Sequence, residues 1–421
     1  MWSRRQFLAA SAALAQPSRP NIVFLISDDH HFRALGAAGN PYIETPNLDK
    51  LASRGVLYTH GIVSTPQCAP SRGILLSGLE TYQSGLRSNG YTKFNPGFPP
   101  TVVEQLRRAG YATHLIGKWH IDNLPAECGF SSAPLWLRGG GSKYIDPSLR
   151  RGLDGKDETV PGHITELFTD AALDVVRKAS GPYLLWLAYN APHTPWTARD
   201  ADRPRNPQPP PGHPKDAKPF DWSTYYAVIR HLDAQCGRVV DAIEKAGQWN
   251  NTLVVFLGDN GYLSGVRGLN GKVHPWAESV RVPYIVSGGV VKTKGKRNTP
   301  VASIDLPATF LDFAGIKPAY KLAGESLKSE LLTGRSTREH AFATWDDPRP
   351  EGLATRQPVE PYRLVRTKFY TYIRWQSGRE ALYETANEYK DLAKSHPEVL
   401  AEMKGALAER MEATNDPARR W

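Results

Sequence analysis

Sulfur is scarce in this chain: 3 Cys and 3 Met stand among 421 residues. Cys68, Cys128 and Cys236 lie far apart, with no C-x-x-C pair and no His-rich zinc spacing, which excludes a disulfide scaffold and a zinc knuckle. No stretch approaches the ~18 consecutive apolar residues of a membrane span, so no membrane association is expected once the N-terminal segment is removed. Internal repeats are lacking too. The basic residues form no block: 52 Lys and Arg against 42 Asp and Glu give a net charge of +10, but they are scattered. Scattered charge disfavours nucleic acid as a partner while attracting smaller anions, sulfated or phosphorylated sugars among them. What the chain does have is aromatic mass, with 11 Trp, 18 Tyr and 13 Phe in a composition that is 40% hydrophobic. That is enough for one large domain and a smaller one.

The N-terminus, MWSRRQFLAASAALAQ, orders a basic start, a short apolar run and a small-residue exit. It reads as an export signal over residues 1–15, and its SRRQFL core resembles a bacterial twin-arginine signal. A periplasmic or secreted protein is expected.

Short apolar runs then alternate with helical patterns. NIVFLIS (21–27), YATHLIG (111–117), PYLLWLAY (182–189), NTLVVFLGDN (251–260) and VPYIVSG (282–288) read as buried strands. Amphipathic stretches at 101–110, 164–179 and 226–247 read as helices between them. The expected class is α/β: a large, mostly parallel sheet flanked by helices over 17–335. A small antiparallel sheet plus a closing helix is expected over 336–421, from the hairpin pattern at 363–375 and the helical pattern at 395–413. The Pro-rich stretch 203–219 reads as a surface loop near the substrate entrance.

Open α/β sheets bind ligands beyond the carboxyl ends of their strands, and polar residues gather there. The first strand runs into Asp28, Asp29, His30 and His31. Adjacent carboxylates repel unless a cation lies between them. The fourth run ends in Asp259 and Asn260, and an all-oxygen set suits a hard ion, Ca²⁺ or Mg²⁺. Lys118 and His120 follow one strand, His193 another, and Lys272 sits in a Gly-rich loop. Cys68 and Arg72 open a helix. Converging, these groups make a cationic pocket for a tetrahedral oxyanion.

These residues carry a resemblance. CAPSRGILLSG (68–78) resembles the CxPSR signature of the formylglycine-dependent sulfatases, within the alkaline-phosphatase-like superfamily. GKWHI, the DD after the first strand, PH after a middle strand, and GDNG with a later GK match that family in order, and the tail 363–393 resembles its C-terminal region. The resemblance implies that a maturation enzyme converts Cys68 to formylglycine. It implies one Ca²⁺, in preference to Mg²⁺, on Asp28, Asp29, Cys68, Asp259 and Asn260. The hydrated aldehyde would attack sulfur, with Arg72, Lys118 and Lys272 neutralising the sulfuryl oxygens. His193 or Lys272 would protonate the departing oxygen, and His120 would deprotonate the second hydroxyl so that sulfate is expelled. The expected substrate is a sulfated carbohydrate, or an aryl or alkyl sulfate, with His31, Arg87, Asn89, Tyr91, Trp136 and Arg138 as rim candidates. Departures from the family pattern fall at Asp122 and across SGLETYQSG (77–85), away from the catalytic positions. Two other readings stay open: a phosphate or phosphonate ester hydrolase, and a non-catalytic binder of sulfated glycans.

Overall fold

The structure, a computed structural model, describes residues 19–347 and 359–421. The export-signal segment 1–15 lies outside the described residues. Eight strands form the main sheet: β1 (Asn21–Ser27), β2 (Val56–Tyr58), β3 (Ala112–Lys118), β4 (Ser132–Leu137), β5 (Tyr183–Ala188), β6 (Thr252–Gly258), β7 (Tyr284–Ser287) and β8 (Gly295–Arg297). Their order is β8-β2-β7-β6-β1-β5-β3-β4, parallel throughout except that β7 runs antiparallel to both neighbours. Each of the five runs expected from sequence contains a strand. β2, β4 and β8 are additions, and each occupies the edge or the position next to it, where a strand need not be apolar on both faces.

The central strands are apolar on both faces because helices cover both. Ile22, Phe24 and Ile26 of β1 face one core, built with α1 (Cys68–Ser77), a helix over Val102–Arg108 and another over Asp305–Phe313. Val23 and Leu25 face the opposite core, under helices Ile164–Lys178 and Trp222–Lys245. Each fully buried Leu, Val, Ile or Phe side chain contributes roughly 1.5–3 kcal/mol by leaving water. Cys128 and Cys236 are free, buried thiols on opposite faces of the sheet.

Four antiparallel strands follow: β9 (Ala341–Trp345), β10 (Tyr362–Arg366), β11 (Tyr370–Trp375) and β12 (Glu380–Glu384). One face, with Ala343, Trp345, Leu364 and Ile373, packs on Ile62, Ile74 and Val280 of the larger unit. The other, with Val365, Tyr372 and Leu382, packs under the helix Pro397–Ala413 through Met403, Leu407 and Met411. Among the described residues no helix is long and apolar enough to cross a membrane.

Candidate active site

Beyond the carboxyl ends of β1, β3, β5 and β6, separate turns bring their side chains to one point. The β1 and β6 turns are tied through the backbone: Asp259 N donates to Ser27 O at 2.9 Å, and His30 N donates to Asn260 O at 3.0 Å. Asp29 takes a left-handed φ of 59°, a cost for a non-glycine residue that recurs at functional sites. Tyr225, from the helix Trp222–Lys245, clamps it. Its hydroxyl donates to Asp29 O at 2.6 Å and accepts from His31 N at 2.8 Å. Nothing in the sequence separates Tyr225 from the other buried aromatics of that helix, and sequence reasoning missed it.

Cys68 is the first residue of α1 and is fully buried, with Sγ 3.3 Å from Asp28 Oδ1 and 2.8 Å from Lys272 Nζ. One turn on, Arg72 places Nε and Nη2 on Asp259 Oδ2 at 3.1 and 2.8 Å, and Nη1 on Lys118 O at 2.6 Å. Lys118 pairs with Asp28, and Lys272 with Asp29. Gly117 explains how Lys118 arrives there. At φ 96°, a Cβ on Gly117 would lie 1.9 Å from Ala188 O, so only glycine lets β3 lie this close to β5 at that point.

Three carboxylates and three cations thus balance in a buried site, as burial of charge requires. The balance is incomplete in hydrogen bonds. Asp259 Oδ1 and Asn260 Oδ1 are buried acceptors without a donor. The amide orientation of Asn260 is fixed because Nδ2 donates to Asp29 Oδ1 at 2.6 Å, an atom that can only accept. Two unsatisfied oxygens beside Asp28 and Asp29 make a donor set that fits a hard divalent cation. Ligand atoms of Asp28, Cys68 and His193 also lie within 4.8 Å of one another.

His193 donates Nδ1–H to Thr194 O at 2.5 Å, which leaves Nε2 turned toward Asp29 Oδ2 at 3.8 Å. His120 has φ 61°, donates its backbone N–H to Arg138 O at 3.0 Å, and keeps Nδ1 buried without a partner. Both rings are held by the glycines after β4. A Cβ on Gly140 would fall 2.5 Å from the His120 ring, and one on Gly141 would fall 3.0 Å from the His193 ring. The run Gly139–Gly141 is plain in the sequence, but nothing there ties it to the two histidines.

Burial, reinforced by Asp28, pushes the Cys68 thiol up to about 12, against the pull of Lys118 and Lys272. An unmodified thiol is therefore protonated at neutral pH and is no thiolate nucleophile. Burial also raises Asp28, but Lys118, His193, Lys272 and Arg72 outweigh it and hold that carboxyl well below the usual range. Burial and then Asp28 lift Asp259 to about 6, opposed by Arg72. Burial, then Lys118, lowers both His120 and His193, so both are neutral near pH 7.

The sulfatase family profile matches residues 20–316. This chain belongs to the sulfatase family. An ulvan-active sulfatase of Formosa agariphila is 28% identical over 409 residues, covering 88% of this chain and 75% of that protein. An N-acetylglucosamine-6-O-sulfatase of Bacteroides thetaiotaomicron is 25% identical, covering 75% and 71%. A solved structure in complex with D-glucosamine-2-N,6-O-disulfate superposes with a TM-score of 0.84 at 22% identity, covering 96% of this chain and all of that one, and shows the shared fold. With named sulfatases among its relatives, this chain is a sulfuric ester hydrolase.

Every residue singled out for catalysis or metal binding sits in or beside this cluster. The rim candidates divide. Arg87 and Arg138 are exposed and Tyr91 is 44% exposed, while half-buried Asn89 accepts from Ala69 N at 3.1 Å and so caps the start of α1. Trp136 and His31 are corrections. Trp136 is fully buried, its indole N–H donating to Gly152 O at 2.8 Å, because it faces the core from β4 rather than the loop beyond. His31 is fully buried between Phe32 and Trp222, since the chain turns inward after Asp29.

Proposed function

We propose that this sulfatase hydrolyses sulfate esters of a carbohydrate through a formylglycine made from Cys68. The observation that carries the reading is the Cys68 environment: a buried thiol, inert as such, pinned between Asp28 and Lys272 and ringed by cations. Sγ occupies the place of one hydroxyl oxygen of the hydrated aldehyde, which supplies the attacking oxygen. The sulfated sugars named for the relatives above support a carbohydrate substrate.

Asp28, Asp29, Asp259 and Asn260 would hold one Ca²⁺, together with the oxygen at position 68, and the chemistry it would supply there is Lewis acidity. Arg72, Lys118 and Lys272 compensate charge on the sulfuryl oxygens as the bond to the leaving group lengthens. For the proton to the leaving oxygen, His193 is better placed than Lys272. Burial works against the Lys272 ammonium, but Asp29 and Cys68 outweigh it and push Lys272 well above 10.5, so it gives up its proton reluctantly. An anionic sulfate facing His193 Nε2 raises the affinity of that nitrogen for a proton. His120, neutral and with a free ring nitrogen, takes the proton from the second hydroxyl.

The catalytic unit is taken to span 17–335, with 336–421 as the smaller subdomain. The chain is expected to reach the periplasm or the exterior through its 1–15 signal. Mass spectrometry of the tryptic peptide Gly55–Arg72, from protein made with a maturation enzyme, tests the reading. An aldehyde or its hydrate at Cys68 is expected; an unmodified thiol despite competent maturation would refute it.

A further inference from the structure

A cavity of about 500 Å³ lies among the loop after β1, the Pro-rich loop, the loop that carries Lys272, and the turn after β12. Arg33, Arg267 and Arg281 line it. Among the described residues none of the three forms an ion pair, whereas the fully buried arginines Arg72, Arg363 and Arg366 all do. Their hydrogen bonds go to uncharged carbonyls: Arg33 to Gly212 O at 2.8 Å, Arg281 to Thr59 O, and Arg267 to Glu388 O. Their flat faces rest on rings. Arg33 and Arg281 lie 4.8 and 3.8 Å from the Phe32 centroid, and Arg267 lies 3.9 Å from Trp276 and 4.5 Å from Tyr389.

Carbonyls and rings orient a guanidinium without cancelling its charge, and Arg281 Nε is buried with no acceptor at all. Asp216, Glu278 and Glu388 line the cavity as well, yet among the described residues none of them forms an ion pair with these arginines. Glu388 is taken up by Arg366 at 2.7 Å and by Ala277 N at 2.8 Å. Glu278 is pushed toward its neutral form by burial and then by Glu388, and Asp216 is exposed at the loop edge. Three oriented donors short of an acceptor suit the fork geometry of a sulfate or carboxylate.

The cavity is close to the reaction centre. Arg33 follows Asp28 by five residues and Arg267 precedes Lys272 by five, and such a stretch spans at most about 18 Å. We infer that this cavity is a second anion subsite, which takes a sulfate or carboxylate of the substrate other than the ester being cleaved. The preferred substrate is then a saccharide bearing at least two anionic groups. This rests on the sulfatase reading above.

The test compares wild type, Arg33→Ala and Arg267→Ala, as the full mature chain, on p-nitrophenyl sulfate and on a heparin-derived tetrasaccharide. Each variant should lose about tenfold or more in kcat/KM on the tetrasaccharide and stay within about twofold on p-nitrophenyl sulfate. Equal losses on both, or no loss on either, overturns the inference. Arg33→Gln, which can still donate to Gly212 O, replaces Arg33→Ala if that variant is unfolded by circular dichroism. Calorimetric binding of the same tetrasaccharide to a Cys68→Ala background reads the cavity without turnover, so failure of the sulfatase reading remains distinguishable. Binding that weakens about tenfold with Arg33→Ala and vanishes on desulfation of the ligand supports the subsite. Absent binding, or binding indifferent to Arg33, overturns it.

Discussion

Arg72 and Asp259 meet through a single carboxylate oxygen: Nε and Nη2 both lie on Oδ2, at 3.1 and 2.8 Å, and Oδ1 is left bare. The guanidinium thus occupies one carboxylate oxygen and leaves the other buried and unpaired. Arg72→Ala would strand Asp259 and Asp28 in a buried site with less counter-charge. A loss of about 3–5 kcal/mol in unfolding free energy is expected by urea titration, and a variant of unchanged stability would contradict the pairing.

Under the proposed Ca²⁺ site, the bare oxygens of Asp259 and Asn260 should make the protein's stability respond to a divalent cation. Adding Ca²⁺ at a hundredfold excess over its dissociation constant should stabilise the chelated protein by about 2.7 kcal/mol. Melting temperatures that coincide in EGTA and in Ca²⁺ would count against the site, independently of any activity measurement.

Under the proposed formylglycine mechanism, Cys68→Ala would remove the oxygen nucleophile but none of the cations. Turnover of sulfate esters should fall by at least about 10³-fold while a sulfated ligand still binds. Full turnover in this variant would dismiss the role given to Cys68.

Gly140→Ala and Gly139→Ala form a matched pair. A Cβ at 140 meets the His120 ring at 2.5 Å, whereas nothing lies within 4 Å of one at 139. The first should cost roughly ten- to a hundredfold in kcat by displacing the ring, and the second almost nothing. Equal effects would mean that the loop does not position His120.

Asp233 provides a pH test away from the site. It is buried, and its carboxylate receives Leu48 N at 2.7 Å and Asn47 Nδ2 at 2.7 Å, yet burial outweighs these donors and raises it from 3.8 to about 6. A raised carboxyl contributes stability that is complete below pH 3.8 and is lost as pH climbs through about 6. The stability difference between wild type and Asp233→Asn should therefore shrink by about 2–3 kcal/mol from pH 4 to pH 7, on the scale of 1.36 kcal/mol per unit. A difference that does not change with pH would refute the shift.

The sequence alone determined the parts governed by short-range patterns. Continuous, largely apolar runs located β1, β3, β5, β6 and β7 because strands covered on both faces must be mostly apolar. Carboxylates, lysines and histidines at the ends of those runs located the candidate site because the ends of buried strands are where a parallel sheet admits ligands. The CAPSR motif supplied the cysteine. The tertiary structure decided what depends on residues distant in sequence. It made Trp136 core rather than rim, because the pleat at an edge strand sets which way a side chain points. It brought Tyr225 onto Asp29 from a helix nearly 200 positions later, and laid Gly140 on the His120 ring, where space rather than chemistry selects the residue. It gathered three arginines from two loops around one cavity without an ion-pair partner. Those contacts arise from packing between segments, and packing is a property of the folded chain, not of any stretch of its sequence.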